Sequence, residues 1–390
     1  MRWTHLTALL VCVVALSALG CGDGKKPASP ATPGASANPN APTAATSPGS
    51  GSSATTPVAV AGSAALPVGK PGECLLTFPK DDADRDPDDP YNRPIMERAM
   101  SVAVSPDGRY ALRGNGSGSL FYWDLARKKR LHRLSRHEGP VYGVTLCPDG
   151  RHAISGGGKT MKLWDLQTGR CVRTFAGHTK DVLAVAVSPD GTHAVSTGID
   201  ANLKYWNLAT GKCLRTIKAV DIPADVPSYT LRSVAITPDG KSALCPASGD
   251  TLKLWNLQTG TLIRTLTVKL KDGVPVGRCF GLSISADGRF ALSTCSTNTM
   301  AYWDLKTGAC QLIQTDHKRV MTIAAICPDG KHGLSGGTDN LIKYWDLTTG
   351  KCLLTFTGHT QKLMALAASK NGKYILSGSW DGSIKLWQLK

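Results

Sequence analysis

The chain has few aromatic residues and no long apolar segment. Aromatic side chains make up 6% of its 390 residues, whereas glycine occurs 41 times, a balance that favours short strands and turns over helices. The uncharged, mostly apolar stretch at residues 6–20 is too short to span a bilayer comfortably. The sequence also lacks a Cys-x-x-Cys pair. Beyond residues that recur in a repeated unit, no Ser-His-Asp order, paired catalytic carboxylates or His-rich cluster stands out. We therefore expect no enzymatic activity, no bound metal and no cofactor.

Acidic residues are outnumbered by basic ones. The chain has 45 Lys and Arg against 29 Asp and Glu, a net charge of +16. Residues 1–72 contribute +3 (Arg2, Lys25, Lys26 and Lys70 against Asp23), which leaves +13 for residues 73–390. This surface favours an anionic partner, although charge alone does not identify one. A basic cluster at residues 127–130 has no aromatic residues interleaved with it, so we do not expect nucleic-acid binding.

The N-terminus has the pattern of an export signal. Arg2 precedes the apolar stretch, which ends in Ser17-Ala18-Leu19-Gly20-Cys21. This ending resembles the lipobox of bacterial lipoproteins. The resemblance implies a signal peptide at residues 1–20, and a Cys21 that carries the lipid (palmitate) and anchors the chain to a membrane of the cell envelope. Gly22, where an Asp would favour inner-membrane retention, favours the outer membrane. The alternative is an ordinary secretory signal with an incidental cysteine.

Residues 21–72 form a predicted linker. They are mostly Ala, Pro, Ser, Thr and Gly, and no aromatic residue occurs between Trp3 and Phe78. Such a segment buries too little apolar surface to offset the entropy of ordering, so we expect it to be disordered. As a flexible coil it would reach about 40 Å. The folded domain is then expected at residues 73–390.

One unit repeats seven times in that domain. A turn of the type Pro-Asp-Gly, or a looser form of it, ends at Gly108, Gly150, Gly191, Gly240, Gly288, Gly330 and Gly372. A tryptophan follows each turn, at Trp123, Trp164, Trp206, Trp255, Trp303, Trp345 and Trp387. The tryptophan spacings are 41, 42, 49, 48, 42 and 42 residues. Pro and Gly at these positions suit a type I turn between antiparallel strands. Four short strands in roughly 42 residues are typical of a propeller blade.

The repeat closely resembles that of the WD-repeat family. Its Trp-Asp pair occurs at Trp123-Asp124, Trp164-Asp165, Trp303-Asp304 and Trp345-Asp346, and its Gly-His pair at Gly177-His178 and Gly358-His359. In that family a His, a Ser, an Asp and the Trp form a hydrogen-bonded structural tetrad. The resemblance implies complete tetrads at His178/Ser196/Asp200/Trp206, His317/Ser335/Asp339/Trp345 and His359/Ser377/Asp381/Trp387. The second unit has His137, Ser155 and Trp164 but Gly158 at the Asp position, and the first, fourth and fifth units lack the His.

A duplicated sequence predicts how the ring closes. Residues 350–356 read Gly-Lys-Cys-Leu-Leu-Thr-Phe, and residues 72–78 read Gly-Glu-Cys-Leu-Leu-Thr-Phe. The last unit stops at Lys390 after its third strand, while residues 74–78 resemble a fourth strand with no unit before it. Pairing these two would close a seven-bladed, all-β propeller and remove its exposed edges.

Three smaller patterns favour structural roles over chemistry. Residues 155–160 end like a phosphate-binding loop, but they lie between two predicted strands. The acidic residues 81–89 alternate as in calcium loops, but Pro87 and Arg93 occupy positions that need Gly and Glu. Counting back from the turn at residues 285–288 places Cys279 opposite Cys295, which makes a disulfide conceivable in an oxidising envelope.

We therefore predict a non-enzymatic scaffold that binds protein partners and is tethered to the bacterial envelope as a monomeric propeller. The long loops at residues 79–98, 218–229 and 268–278 share one face, and a site beside the fourth blade is expected. Two alternatives remain open. One is a binder of anionic envelope polymers or lipid headgroups, and the other is an enzymatic propeller.

Overall fold

The computed structural model describes residues 65–78, 98–134, 137–220, 230–247, 251–268, 279–295 and 297–389. These residues form 28 β-strands in seven four-stranded antiparallel sheets. They contain no helix, and accordingly no helix able to cross a membrane. The seven sheets confirm the predicted all-β, seven-bladed propeller.

Six blades are each built from four consecutive strands. Blade 1 contains β2 (Ala99–Val104), β3 (Tyr110–Asn115), β4 (Leu120–Asp124) and β5 (Lys129–Leu134), and blade 2 contains β6 (Val141–Leu146), β7 (His152–Gly157), β8 (Thr160–Asp165) and β9 (Arg170–Ala176). Blade 3 contains β10 (Val182–Val187), β11 (His193–Gly198), β12 (Asn202–Asn207) and β13 (Cys213–Lys218), and blade 4 contains β14 (Ala235–Ile236), β15 (Ser242–Pro246), β16 (Thr251–Asn256) and β17 (Leu262–Thr267). Blade 5 contains β18 (Cys279–Ile284), β19 (Phe290–Cys295), β20 (Thr299–Asp304) and β21 (Cys310–Gln314), and blade 6 contains β22 (Met321–Ile326), β23 (His332–Gly337), β24 (Ile342–Asp346) and β25 (Lys351–Phe356). The first strands of neighbouring blades contact one another, so they surround the central axis.

Blade 7 combines the two ends of the described chain. It contains β26 (Leu363–Ala368), β27 (Tyr374–Ser379), β28 (Ile384–Gln388) and, as its outer strand, β1 (Cys74–Phe78). Strand β1 runs antiparallel to β28, with Phe78 opposite Ile384 and Thr77 opposite Lys385. The Nζ of Lys385 also donates a hydrogen bond to the Oγ1 of Thr77 at 2.9 Å. The N-terminal strand therefore closes the ring, as predicted from the duplicated sequence.

The blades are joined by aromatic contacts that the repeat supplies. At three junctions a phenylalanine from the outer strand of one blade packs on the tryptophan of the next. The ring centroids are 5.8 Å apart for Phe175 and Trp206 and 5.7 Å apart for Phe356 and Trp387. Phe78 of β1 makes the same contact with Trp123 of blade 1, at 5.4 Å. The closing strand thus joins blade 7 to blade 1 through a contact that other blade pairs also make.

The turns between the first and second strands have the expected geometry. In blade 3 the amide of Gly191 donates to the carbonyl of Ser188 at 2.9 Å, and the amide of His193 donates to the Oγ of Ser188 at 2.9 Å. Gly191 has a φ of +70°, in the left-handed region that glycine adopts without strain. This recurring turn fixes the register of the hairpin, and hence of the buried residues that follow.

Candidate functional site

The three complete tetrads predicted from the sequence come together as hydrogen-bonded chains. In blade 3 the Nδ1 of His178 lies 2.9 Å from the Oδ2 of Asp200 and its Nε2 lies 2.7 Å from the Oγ of Ser196. The indole Nε1 of Trp206 donates to the same Oγ at 2.8 Å. Blades 6 and 7 repeat this geometry: 2.7 Å for His317–Asp339, 2.7 Å for His317–Ser335, 2.8 Å for Trp345–Ser335, 2.8 Å for His359–Asp381, 2.7 Å for His359–Ser377 and 2.8 Å for Trp387–Ser377.

These tetrads are electrostatically satisfied. Burial raises the pKa of Asp200, but the hydrogen bond and charge of His178 outweigh that effect and bring the pKa down to about 2. The pKa values of Asp339 and Asp381 are likewise lowered, because hydrogen bonds from His317 and His359 outweigh burial. The carboxylates therefore remain ionised at neutral pH. Their hydrogen bonds hold the second and third strands of each blade in place, so the tetrads support the scaffold.

Blade 2 replaces the missing carboxylate with its own backbone. The Nε2 of His137 lies 2.6 Å from the Oγ of Ser155, and its Nδ1 lies 3.0 Å from the carbonyl oxygen of Gly157. Trp164 donates to Ser155 at 2.7 Å, as in the complete blades. Burial, with a smaller contribution from Lys162, lowers the pKa of His137 to about 4. The histidine is therefore neutral at pH 7.

The other three blades lack the histidine and differ in the residue at the serine position. Ser293 of blade 5 still accepts from Trp303 at 3.1 Å. In blade 4 the buried Cys245 occupies the serine position beside Trp255. Burial raises the pKa of its thiol to about 12. In blade 1 the buried Arg113 occupies the serine position, and the indole Nε1 of Trp123 has no hydrogen-bond partner among the described residues.

The described cysteines include one facing pair and a group with a recurring contact to the backbone. Cys279 lies directly opposite Cys295, as the count from the turn predicted. Their sulfur atoms are 3.8 Å apart, which is longer than an S–S bond of about 2.05 Å. Four cysteines of outer strands share another pattern. The Sγ atoms of Cys74, Cys171, Cys213 and Cys352 lie 3.5, 3.5, 3.2 and 3.6 Å from the backbone oxygen two residues further on.

Several other predicted features are now placed or lie outside the described residues. Residues 155–160 form the end of β7, a tight turn and the start of β8, a strand-to-strand connection unlike a phosphate-binding loop. In the basic turn at residues 127–130, Arg127 pairs with the Asp124 carboxylate at 3.5 Å. Cys21 and the acidic residues 81–89 lie outside the described part of the chain, as do most of the three long loops.

The described residues show a basic cavity between blades 6 and 7. Its volume is about 570 Å³. It is lined by Lys318, Arg319, Thr338, Asp339, Asn340, Thr360, Gln361 and Lys362. These residues come from the connections before β22 and β26 and from the turn after β23, which lie on the same face as the long loops. The cavity is therefore on the face where partner binding was expected, beside blades 6 and 7. The site expected beside blade 4 stays a prediction, because most residues of its two flanking loops lie outside the described part of the chain.

Trp380 lies next to this cavity and holds two cations against its ring. The Nζ of Lys362 is 3.2 Å from the ring centroid, and the guanidinium carbon of Arg98 is 3.8 Å from it. Burial and the charge of Arg98 lower the pKa of Lys362. The sequence reasoning missed this residue. Its position in the sequence could have identified it. Seven tryptophans of the propeller recur at the same place in each repeat, and Trp380 does not.

Trp380 also packs against a buried apolar cluster that includes residues of four first strands. Met100, Tyr142, Leu183 and Met364 are buried in one cluster, and each comes from the first strand of a different blade. In all four strands the pairing register shifts at this residue, so it bulges from the ladder. Because the first strands surround the axis, these bulged side chains lie in its neighbourhood, and Trp380 packs against their cluster.

The described residues contain no group of three or more His, Cys, Asp or Glu side chains placed to hold a metal ion. What the loop-bearing face offers instead is positive charge, amide and hydroxyl groups, and one partly buried indole ring. These groups are suited to non-covalent binding.

A comparison with protein families supports the repeat assignment. The family of the WD domain, G-beta repeat (WD40), matches residues 128–165, 169–207, 308–346 and 350–388. Each match begins at or just before the outer strand of one blade and ends with the third strand of the next. The sequence repeat is therefore offset from the structural blade, and this offset is why the last blade needs β1. The chain is a seven-bladed β-propeller built with WD40 repeats.

Proposed function

We propose that the protein is a non-enzymatic interaction scaffold that binds a protein partner on the face carrying the loops between blades. WD40 propellers typically act as protein-interaction scaffolds. The observation that supports this use most is the surface around Trp380, where an indole ring and several cations occupy one face of a rigid ring. Tryptophan and arginine are enriched at the centres of protein interfaces.

We also propose that the scaffold is tethered to a membrane of the bacterial envelope, through a lipid on Cys21. The apolar stretch before Cys21 and the linker composition of residues 21–72 support this proposal. The linker would enter the propeller at β1, which forms hydrogen bonds with β28 along the outer edge of blade 7. Gly22 favours the outer membrane in this proposal.

Affinity capture from solubilised envelope membranes tests the proposal. The bait is the full chain, and it is compared with variants whose loops at residues 218–229 and 268–278 are shortened. In a separate experiment, the wild type and a Cys21→Ser variant are labelled with palmitate in cells. A partner retained by wild type and absent with an unrelated lipoprotein is the expected result. Loss of palmitate labelling in Cys21→Ser is also expected. Labelling that persists in this variant would exclude the tether.

A second candidate is binding of an anionic envelope polymer or lipid headgroup. The net charge of +13 on residues 73–390 and the basic cavity favour it. Such binding depends on many screened charges, so it should fall steeply between low and physiological salt. Vesicle co-sedimentation at two salt concentrations measures this dependence, and salt-insensitive binding to a single protein would exclude this candidate.

A further inference from the structure

The described lining of the cavity between blades 6 and 7 has more cations than carboxylates. Lys318 and Arg319 are exposed, and Lys362 is half-buried. No carboxylate among the described residues lies within ion-pair distance of these three cations. Among the described lining residues, three cations therefore face the single carboxylate of Asp339, so their net charge is positive.

The nearby carboxylates are already engaged elsewhere. Asp339, which lines the cavity, accepts hydrogen bonds from His317 at 2.7 Å and from the backbone amide of Lys318 at 3.3 Å. Asp316 pairs with the Nζ of Lys343 at 2.7 Å. Both of these described carboxylates thus already accept a hydrogen bond or ion pair from another group. Neither carboxylate is within ion-pair distance of Lys318, Arg319 or Lys362, so these three cations can pair with a ligand.

Trp380 brings a fourth cation to the same place. Arg98 and Lys362 both lie within 3.8 Å of its ring centroid, so two like charges are held close together. Cation–π attraction to the indole offsets part of their repulsion. An anionic ligand between Lys362 and Arg319 would reduce the remainder. The geometry therefore favours an acidic group at the cavity edge nearest Trp380.

The other groups at the cavity favour a peptide over a phosphate headgroup or a polysaccharide. Gln361 supplies an exposed amide that can pair with a peptide backbone, and Arg319 supplies a planar fork that pairs with a carboxylate. Val320, directly after Arg319, is 44% exposed and offers an apolar contact. Adjacent apolar, amide and cationic groups match a segment in which acidic and apolar side chains alternate.

We infer that this cavity, with Lys318, Arg319 and Lys362 beside Trp380, is the docking site for an acidic, partly apolar peptide segment of the protein partner. This inference rests on the proposed scaffold function and assigns its site and the chemistry of its ligand. An extended segment of this kind would cross from the turn after β23 towards Trp380. Its carboxylates would contact the cations and its apolar side chains would contact Val320 and the indole.

Fluorescence anisotropy with a labelled peptide tests the inference on the full chain. The probe is a short peptide of alternating Glu and Leu, and the matched probe has Gln in place of Glu. The charge-reversed variant is Arg319→Glu with Lys362→Glu, and the milder variant carries Gln at both positions. The control is Lys241→Glu with Lys351→Glu, which makes the same charge change at exposed positions outside the cavity.

We expect the acidic probe to bind the wild type at least tenfold more tightly than the Gln probe. The cavity reversal should weaken binding at least tenfold, the Gln variant should weaken it by an intermediate factor, and the control should weaken it less than threefold. Equal losses in both reversals would overturn the inference, because net charge alone would then explain binding. Loss of anionic-vesicle binding with peptide binding intact in the cavity reversal would also overturn it, by assigning the cavity to a headgroup.

The same variants separate this inference from the scaffold proposal. If wild type and the cavity reversal capture the same envelope protein equally well, the scaffold proposal stands and the cavity assignment fails. If the wild type binds the acidic probe through the cavity but captures no envelope protein, the site stands and the scaffold proposal fails.

Discussion

Replacing Asp200 with asparagine removes the charge from one tetrad while keeping its shape. In the wild type, the Nδ1 of His178 lies 2.9 Å from the Oδ2 of Asp200. The side-chain oxygen of an asparagine can still accept a hydrogen bond from this Nδ1. The Asp200 side chain is 4% exposed, so solvent screens its interaction with the histidine only weakly. Lowering the pKa from 3.8 to about 2 corresponds to about 2 kcal/mol of folding free energy at pH 7.

The sign of the pH dependence follows from the direction of that shift. Because the folded protein holds the carboxylate ionised below the pH at which the unfolded chain protonates it, the stabilisation is complete above about pH 4. It is lost as the pH falls towards 2. At pH 3 about 1 kcal/mol should remain. The difference between wild type and Asp200→Asn should therefore shrink on acidification.

Urea unfolding at pH 7 and at pH 3, followed by tryptophan fluorescence, measures this difference. The control Glu138→Gln removes an exposed carboxylate from the second blade and should change the free energy of unfolding by less than about 0.5 kcal/mol at either pH. If Asp200→Asn is as stable as the wild type at pH 7, or equally destabilised at both pH values, the charge of Asp200 does not act as described.

Three further predictions concern the ring itself. Phe78→Ala and Phe356→Ala should each cost about 3–5 kcal/mol in urea unfolding, and a much smaller loss for Phe78→Ala would mean that β1 is loosely attached. The low pKa of His137 means that the unfolded chain takes up a proton first, so this residue should lower the free energy of unfolding by up to about 3 kcal/mol as the pH falls from 6.5 to 4. In pH-dependent unfolding, His137→Gln should make the slope shallower by that amount, and an unchanged slope would contradict the assignment. A Cβ on Gly281 would lie 2.7 Å from the amide nitrogen of Ala324 in blade 6, so Gly281→Ala should lower the free energy of unfolding by about 1–3 kcal/mol, whereas Gly139→Ala, with 3.4 Å of clearance, should be nearly neutral.

Most of the fold could be predicted because sequence patterns that are local and repeated determine it. The turn residues before Gly191 determine a hairpin through contacts within a few positions, and the tryptophan spacing reports the period of the blade. Even the long-range pairing of β1 with β28 was predictable. Its sequence, ending in Phe78, nearly duplicates the strand that ends in Phe356.

The candidate site was less predictable because it depends on residues that are distant in sequence and break the repeat. Arg98 and Lys362 meet on Trp380 only after the ring has closed, and none of the three occupies a recurring slot. In blade 2 the carbonyl oxygen of Gly157 replaces the aspartate as the partner of the histidine, and the sequence did not predict this. Any residue supplies a backbone carbonyl, so only the geometry of the turn reveals its role.

Hydrogen exchange of the full chain tests ring closure by the N-terminal strand most directly. Mass spectrometry can follow peptides that cover β1 (Cys74–Phe78) and, as the internal reference, β25 (Lys351–Phe356), the equivalent outer strand of blade 6. If β1 is an integral strand, its hydrogen-bonded amides should be protected as strongly as those of β25 and should open with the whole ring. Exchange of β1 at the rate of an unstructured peptide, while β25 stays protected, would contradict the account.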